Sequence, residues 1–397
     1  MRVALIAVLI LCLPGVAAAA SFVLPGPKDD IIGEMRSATV AEGQTLLDIA
    51  RDNDLGYQEI VRANPELDPW LPPVGAKVIL PTRYILPSAT RTGIVVNLAE
   101  MRLYYFVPAK DSAGIRVFTY PLGIGQEGWS TPTGPSSITE KIKDPAWTVP
   151  ESIRAAHNAD GHGELPAVVP PGPDNPLGQY ALRLENSRYL IHGTNKPYGV
   201  GRRISHGCIR MYPEDIEELF PMVPVGTRVM IIDQPYKVGR DSDALYFEAH
   251  VPIVENQQVQ HDNLPQALAA VAAVAGSERR QELRDRAAVI AEKHAGVPTY
   301  LSKIPRAIDE DLQGWVLQLG AFANVENATV LANRVKSHSL PVTVVARVSD
   351  GYCHVLVGPY ADQAVAQDMR GKVADLMGYE PSLIRASRNG VLSNCMP

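Results

Sequence analysis

Six consecutive residues, Ser205-His206-Gly207-Cys208-Ile209-Arg210, place a hydroxyl, an imidazole, a thiol and a guanidinium in one short stretch. A second imidazole, His192, lies sixteen residues before Cys208 in Ile191-His192-Gly193-Thr194. Thiol and imidazole together are a set for nucleophilic acyl chemistry. A free cysteine with a pKa of about 8.5 is only a few per cent thiolate at neutral pH, so a base that takes its proton raises the reactive fraction. Imidazole, with an ordinary pKa of about 6.5, suits that transfer and the return of the proton to a leaving amine. Two bases compete on spacing. His206 is two residues from Cys208 and leaves the same face of an extended chain, although a turn at Gly207 can direct the two apart. His192 reaches Cys208 only through the fold. A zinc site built from His192, His206 and Cys208, with His157 or His162, matches no standard ligand pattern, and neither a metal nor a cofactor is expected. Arg210 can hold a substrate carboxylate or serve as a surface ion-pair partner.

The elements that must position these groups are strands. From Thr92 to Asp233 the runs Ile94-Val95-Val96-Asn97, Arg102-Leu103-Tyr104-Tyr105-Phe106, Val117-Phe118-Thr119-Tyr120 and Tyr189-Leu190-Ile191-His192 are β-branched and aromatic. Between them, 160–178 carries five Pro and four Gly, predicts no regular element, and is a candidate lid. With its histidine and Ser-His-Gly-Cys-x-Arg signature, and the Thr131-Pro132-Thr133-Gly134 turn, 92–233 resembles the L,D-transpeptidase catalytic domain, called YkuD-like. The resemblance implies a mostly β catalytic domain of β-sandwich type, with Cys208 as the acylated nucleophile and His192 as the base. It implies that the Gly193 carbonyl orients the imidazole, that Ser205 and His206 line the pocket, and that the Gly207 and Cys208 amides form an oxyanion hole. Arg210 would bind a substrate carboxylate. The fragment from Ile191 to Gly199 resembles members that attach a lipoprotein to peptidoglycan, so an envelope lipoprotein is one acceptor implied.

On the N-terminal side, Thr45-Leu46-Leu47-Asp48 reads as a helix start with a capping box, and Gln58 to Ala63 as a second helix stopped by Asn64-Pro65. Lys77 to Leu80 reads as a closing strand. This small α+β unit (βααβ) at 36–83 resembles a LysM module, which implies binding to glycan strands. Beyond the catalytic region, 234–311 reads as two short strands and a helical linker interrupted near Gly276. Val316 to Phe322 and His354 to Tyr360 repeat at an offset of 38 residues, each a strand followed by a helical pattern. The resulting α+β ferredoxin-like order (βαββαβ) at 312–387 resembles a SPOR domain, implying affinity for glycan strands stripped of peptides and recruitment to the division septum. An RNA-binding sheet of the same topology would want clustered Lys and Arg, and Glu326, Asp350, Asp362 and Asp368 argue against it.

The expected fold class is therefore multidomain, as 397 residues already suggest. A net charge of −6 gives no basis for a nucleic-acid partner. Residues 1–20 read as a signal peptide, with Arg2, an apolar run from Val3 to Leu13 and Ala18-Ala19-Ala20; no transmembrane segment is expected in the mature chain. That predicts a periplasmic protein. Outside Cys12 the cysteines are Cys208, Cys353 and Cys395, an odd set that leaves at least one thiol free. Cys353 reads as inert packing, with Cys395 a tail thiol able to pair with it. The chemistry expected is transfer of a peptidoglycan tetrapeptide stem, through a Cys208 thioester and with loss of D-alanine, to an amine. The alternatives are an L,D-carboxypeptidase or endopeptidase, and a wall-binding scaffold with an inactive centre.

Overall fold

The computed structural model describes residues 20–24, 30–109, 114–159, 161, 163–186, 188–241, 244–274, 280–303, 314–322, 325–336, 338, 340, 342–347, 353–386 and 392–394. Residues 1–19, which hold Cys12 and all but the last residue of the expected signal peptide, and His162, Gly276 and Cys395 lie outside the described residues. The chain forms two compact units. The first comprises Met1–Asp241, Tyr246–Leu268 and Arg286–Tyr300; the second comprises Ser242–Leu245, Ala269–Asp285 and Leu301–Pro397.

The first unit is organised by a nine-stranded sheet. Its order is Ala20–Val23, Ile115–Pro121, Arg102–Pro108, Gly93–Asn97, Arg228–Ile232, Gly134–Lys143, Tyr180–Leu184, Leu190–His192 and Ile209–Arg210. Alternation along the central strands explains their nearly unbroken hydrophobicity: Ile94 and Val96 point into one core with Leu103 and Tyr105, while Val95 points into another with Tyr104 and Phe106. Gly134–Lys143 pairs through its first half with Arg228–Ile232 and through its second with Tyr180–Leu184, with a register shift at Ile138/Glu140. That bulge bends the strand, and the result is one curled sheet in place of the stacked pair that a sandwich implies. The helix Pro213–Met222 covers one face with Ile216 and Leu219. The other face is covered by the N-terminal strand–helix–helix–strand unit.

In that unit Arg36–Thr39 and Lys77–Leu80 pair antiparallel, flanking the helices Leu46–Asp52 and Tyr57–Ala63. The capping box forms as the sequence predicts, with the Asp48 amide on Thr45 Oγ1 at 3.2 Å and the Thr45 amide on Asp48 Oδ2 at 2.8 Å. Asn64 ends the second helix and staples it to the closing strand, donating to the Ile60 and Ile79 carbonyls and accepting from the Ile79 amide. Leu46, Ile49, Leu55, Ile60 and Val78 belong to the same core as Val95, Tyr104 and Val117, so this unit is fused to the catalytic sheet. Its second helix also leans on the loop before the cysteine motif. The orphan amides of Tyr57 and Gln58 donate to the Val200 and Gly201 carbonyls at 3.3 and 3.2 Å. The contact is backbone on backbone; a Cβ at Gly201 would lie 2.1 Å from the Tyr57 nitrogen.

Two expectations change. A helix at Glu151–Ala159, with no buried residue, went unforeseen, because its residues have no core to mark. The Pro/Gly-rich stretch is not wholly irregular: Val168–Val169 pairs with Trp147–Thr148, and buried Asn175 donates to the Pro145, Val169 and Pro170 carbonyls. The region after Asp233 contains the expected strands, Tyr236–Asp241 and Ala244–Ala249, and the expected helices, Leu264–Val274 and Arg280–Lys293, and it begins in the first unit's core. Buried Lys237 donates to Glu100 Oε2 at 2.5 Å and to the Ile85 carbonyl at 2.6 Å, and pairs with Glu248 at 2.8 Å.

The second unit holds a sheet in the order Ser382–Ala386, Gly314–Phe322, Cys353–Tyr360, Val342–Arg347 and Leu392–Asn394, with helices Val325–Lys336 and Gln363–Met377. The first four strands and two helices follow the βαββαβ order. Leu317, Leu319, Val355, Val357, Ala332 and Val373 form its core. Cys353 is disulfide-bonded, which corrects its reading as an inert packed thiol; a single sequence gives no distance from which to see the bond.

Candidate active site

The strand Leu190–His192 carries the histidine and Ile209–Arg210 follows the cysteine. They pair in parallel, Ile191 with Ile209 and His192 with Arg210, and the Met211 amide donates to the His192 carbonyl at 2.8 Å. Adjacent strands lie about 4.8 Å apart, so this pairing brings the Cys208 turn beside the His192 strand. Sixteen residues of chain separation are closed by the sheet. Between the strands, Gly207 takes φ +99°, a left-handed backbone, and a Cβ there would meet the Tyr189 ring at 2.7 Å. The turn is braced from within. Ser205 Oγ donates to the Cys208 carbonyl at 2.6 Å and accepts from the Gly207 amide at 3.2 Å. Buried Thr131 donates to the Gly207 carbonyl at 2.9 Å and accepts from the Gly125 amide at 3.2 Å. The Gly207 amide is thus engaged within the turn, unlike in the expected oxyanion hole.

His192 is buried, and its Nδ1 lies 2.6 Å from the Gly193 carbonyl. A carbonyl only accepts, so Nδ1 carries the hydrogen and Nε2 is left with its lone pair. Burial, reinforced by the positive charge of Arg210, lowers the His192 pKa to about 4, against the opposing pull of the Gly193 and Leu177 carbonyls. The ring is neutral at physiological pH. Cys208 is half-buried and a free thiol. It packs against Leu177, Ala181 and Leu190, and its Sγ donates weakly to the Arg188 carbonyl at 3.8 Å. Burial pushes its pKa up, partly offset by the Leu190 backbone and by Arg210.

The His206 ring sits edge-on to Trp129 at 4.8 Å, and burial and Arg210 lower its pKa. Arg210 is half-buried with an unpartnered Nε, and no carboxylate pairs with it among the described residues, which removes the surface ion-pair reading. Instead its charge acts on His192, His206 and Cys208. Among the described residues the cluster close enough to share an ion is Glu100, Glu248 and His250, where Lys237 already supplies the cation; His162 of the zinc reading lies outside them. Four contributors were not singled out from the sequence: Leu177 and Leu190 against the thiol, Trp129 against His206, and Tyr189 against the turn. Thr131 could have been found, since the Thr131-Pro132-Thr133-Gly134 turn was already conspicuous.

A neutral imidazole on a strand paired with the one that follows a half-buried thiol, with one guanidinium acting on both, is the residue set that a cysteine acyltransferase needs. Residues 91–231 match the YkuD family, the L,D-transpeptidase catalytic domain, and residues 311–385 match the SPOR domain. The chain is 42% identical over 245 residues to the probable L,D-transpeptidase YcfS of Escherichia coli (strain K12), covering 60% of this chain and 75% of that one. It is 38% identical over 289 residues to the probable L,D-transpeptidase ErfK/SrfK of the same strain, covering 72% and 91%. An NMR structure of the catalytic domain of the E. faecium L,D-transpeptidase aligns at 24% identity over 37% of this chain and all of that one, with a TM-score of 0.27. The chain belongs to the L,D-transpeptidase family.

Proposed function

We propose that Cys208 is the nucleophile and His192 the general base of a peptidoglycan L,D-transpeptidase that works in the periplasm after removal of its leader. The observation that carries this reading is the His192 ring: Nδ1 is committed to the Gly193 carbonyl, so Nε2 is the atom free to accept the thiol proton. In the first half-reaction Cys208 Sγ attacks the diaminopimelate carbonyl of a tetrapeptide stem while its proton passes to His192 Nε2. The tetrahedral intermediate collapses with the proton returned to the departing D-alanine amine, leaving a thioester. In the second, an acceptor amine attacks the thioester, loses its proton through His192, and Cys208 leaves. The Cys208 amide is the candidate oxyanion donor, since that of Gly207 is occupied, and Arg210 takes a stem carboxylate. His206 and Ser205 frame the pocket.

The acceptor amine is the diaminopimelate of a second stem, giving a 3-3 cross-link, or a lysine of an envelope lipoprotein, giving a covalent anchor. Leu177, at the end of the Pro/Gly-rich stretch, packs with Cys208, which supports that stretch as the lid that keeps water from the thioester. The N-terminal unit serves as a LysM-type glycan binder and the second unit as a SPOR module. Intact mass after incubation with tetrapeptide-containing muropeptides tests the centre. The native chain should gain the stem minus D-alanine and Cys208→Ser should gain nothing; turnover retained by Cys208→Ser removes the assigned nucleophile.

A further inference from the structure

A cleft of about 670 Å³ in the first unit, apart from the Cys208 turn, carries chemistry that acyl transfer does not use. Tyr57 and Arg62 of the second N-terminal helix, Trp70 of the following loop, and Arg202 of the segment leading into Ser205 line it. The Arg202 guanidinium lies 3.7 Å over the Tyr57 ring and 5.5 Å from that of Trp70, and its buried Nε meets no acceptor. Among the described residues Arg62 donates to neutral Gln58 alone, at 3.1 Å. The carboxylates in the wall are spent elsewhere, Glu59 on Arg102 and Glu100 on Lys237. Two half-buried guanidinium groups are therefore left without a carboxylate among the described residues, beside an indole that is 56% exposed. An unmatched guanidinium gains most from a bidentate oxyanion, and an exposed indole from a flat apolar face such as the C–H side of a pyranose.

We propose that this cleft is a second substrate site, which holds a peptidoglycan glycan strand with a sugar on Trp70 and a stem-peptide carboxylate on Arg202 and Arg62. It rests on the transpeptidase reading for the identity of the polymer. The strand is gripped by the N-terminal unit and the catalytic domain together, a few residues upstream of Cys208.

The test uses the full chain carrying Cys208→Ser and calorimetric titration with two probes: purified glycan chains bearing tetrapeptide stems, and the uncharged tetramer of N-acetylglucosamine. Arg202→Gln and Arg62→Gln should each weaken binding of stem-bearing chains about tenfold or more while leaving the tetramer unchanged, and Arg202→Lys should recover part of the loss. Trp70→Ala, an exposed position, should weaken both. In the active chain Arg202→Gln should raise KM for glycan chains and leave kcat, and KM for a single muropeptide, where they were. Unchanged affinity for stem-bearing chains in both arginine variants, or equal losses for the two probes, overturns the site. A native chain that forms no acyl-enzyme removes the transpeptidase reading alone, because the titrations in Cys208→Ser still decide the cleft.

Discussion

The pair at the centre is neutral at rest. Burial raises the Cys208 thiol and, with Arg210, lowers His192 to about 4, so near pH 7 the dominant form is thiol and imidazole, not thiolate and imidazolium. Proton transfer then accompanies attack on the substrate. The consequence is an alkylation rate with iodoacetamide that climbs above neutral pH and shows no inflection between 6 and 7; a reactive plateau from pH 5 to 7 would mean a resting ion pair. Arg210 sharpens the test because its charge lowers the thiol and the imidazole alike. In Arg210→Gln both should titrate higher, and the alkaline rise in alkylation, followed by mass spectrometry, should move to higher pH.

At the scale of elements, the helix Tyr57–Ala63 is tied to the sheet by one charged pair. Arg102, fully buried on its strand, donates to both Glu59 oxygens at 2.8 and 2.9 Å, and Glu59 Oε2 also accepts the Gly56 amide at 2.6 Å, capping the helix. Removing one partner strands the other charge in the core, at a cost of about 3–5 kcal/mol, whereas removing both with apolar residues costs far less. Arg102→Met and Glu59→Leu should therefore each lower the midpoint of the first unit's unfolding in urea, and the double variant should be more stable than either. This tie was illegible in the sequence, where Arg102 begins a strand pattern and Glu59 sits on a helix as solvated charges usually do. What was legible had a local cause: the Thr45–Asp48 cap, the Asn64 stop, the aromatic and β-branched strands, and the sulfur and imidazole of the motif. The parallel pairing of Ile191 with Ile209, and the curl at Ile138, depend on distant partners and leave no local mark.

At the scale of the whole molecule, the SPOR match lies in the second compact unit, and truncation before Leu312 should disperse septal signal in cells while acyl-enzyme formation in vitro persists; unchanged septal signal refutes that localising role. The stability of the first unit has its own pH signature, set where the N-terminal helices meet the sheet. Asp54 is half-buried there with Oδ1 out of solvent and unpartnered among the described residues, and desolvation outweighs the nearby Arg102 to raise its pKa to about 7; Asp215 is raised as well, by burial and by Asp54. A carboxyl raised in the fold holds its proton in the native state where the unfolded chain, with an ordinary pKa of about 3.9, has lost it. Asp54 then binds more proton in the native state between about pH 4 and 7, so its own contribution to stability falls as pH rises through that window, while His192, held near 4 against an ordinary 6.5, contributes in the opposite sense between about pH 4 and 6.5. Asparagine keeps the shape and accepts no such charge. Asp54→Asn should flatten the fall and leave the first unit more stable than the native chain at pH 8, by about 2–4 kcal/mol if the whole shift is expressed. Urea titrations of both chains at pH 5 and pH 8 check sign and size, because the difference between them isolates this carboxyl from His192 and the other titrating groups: an Asp54→Asn chain with the native pH dependence would show that Asp54 is not raised in the fold.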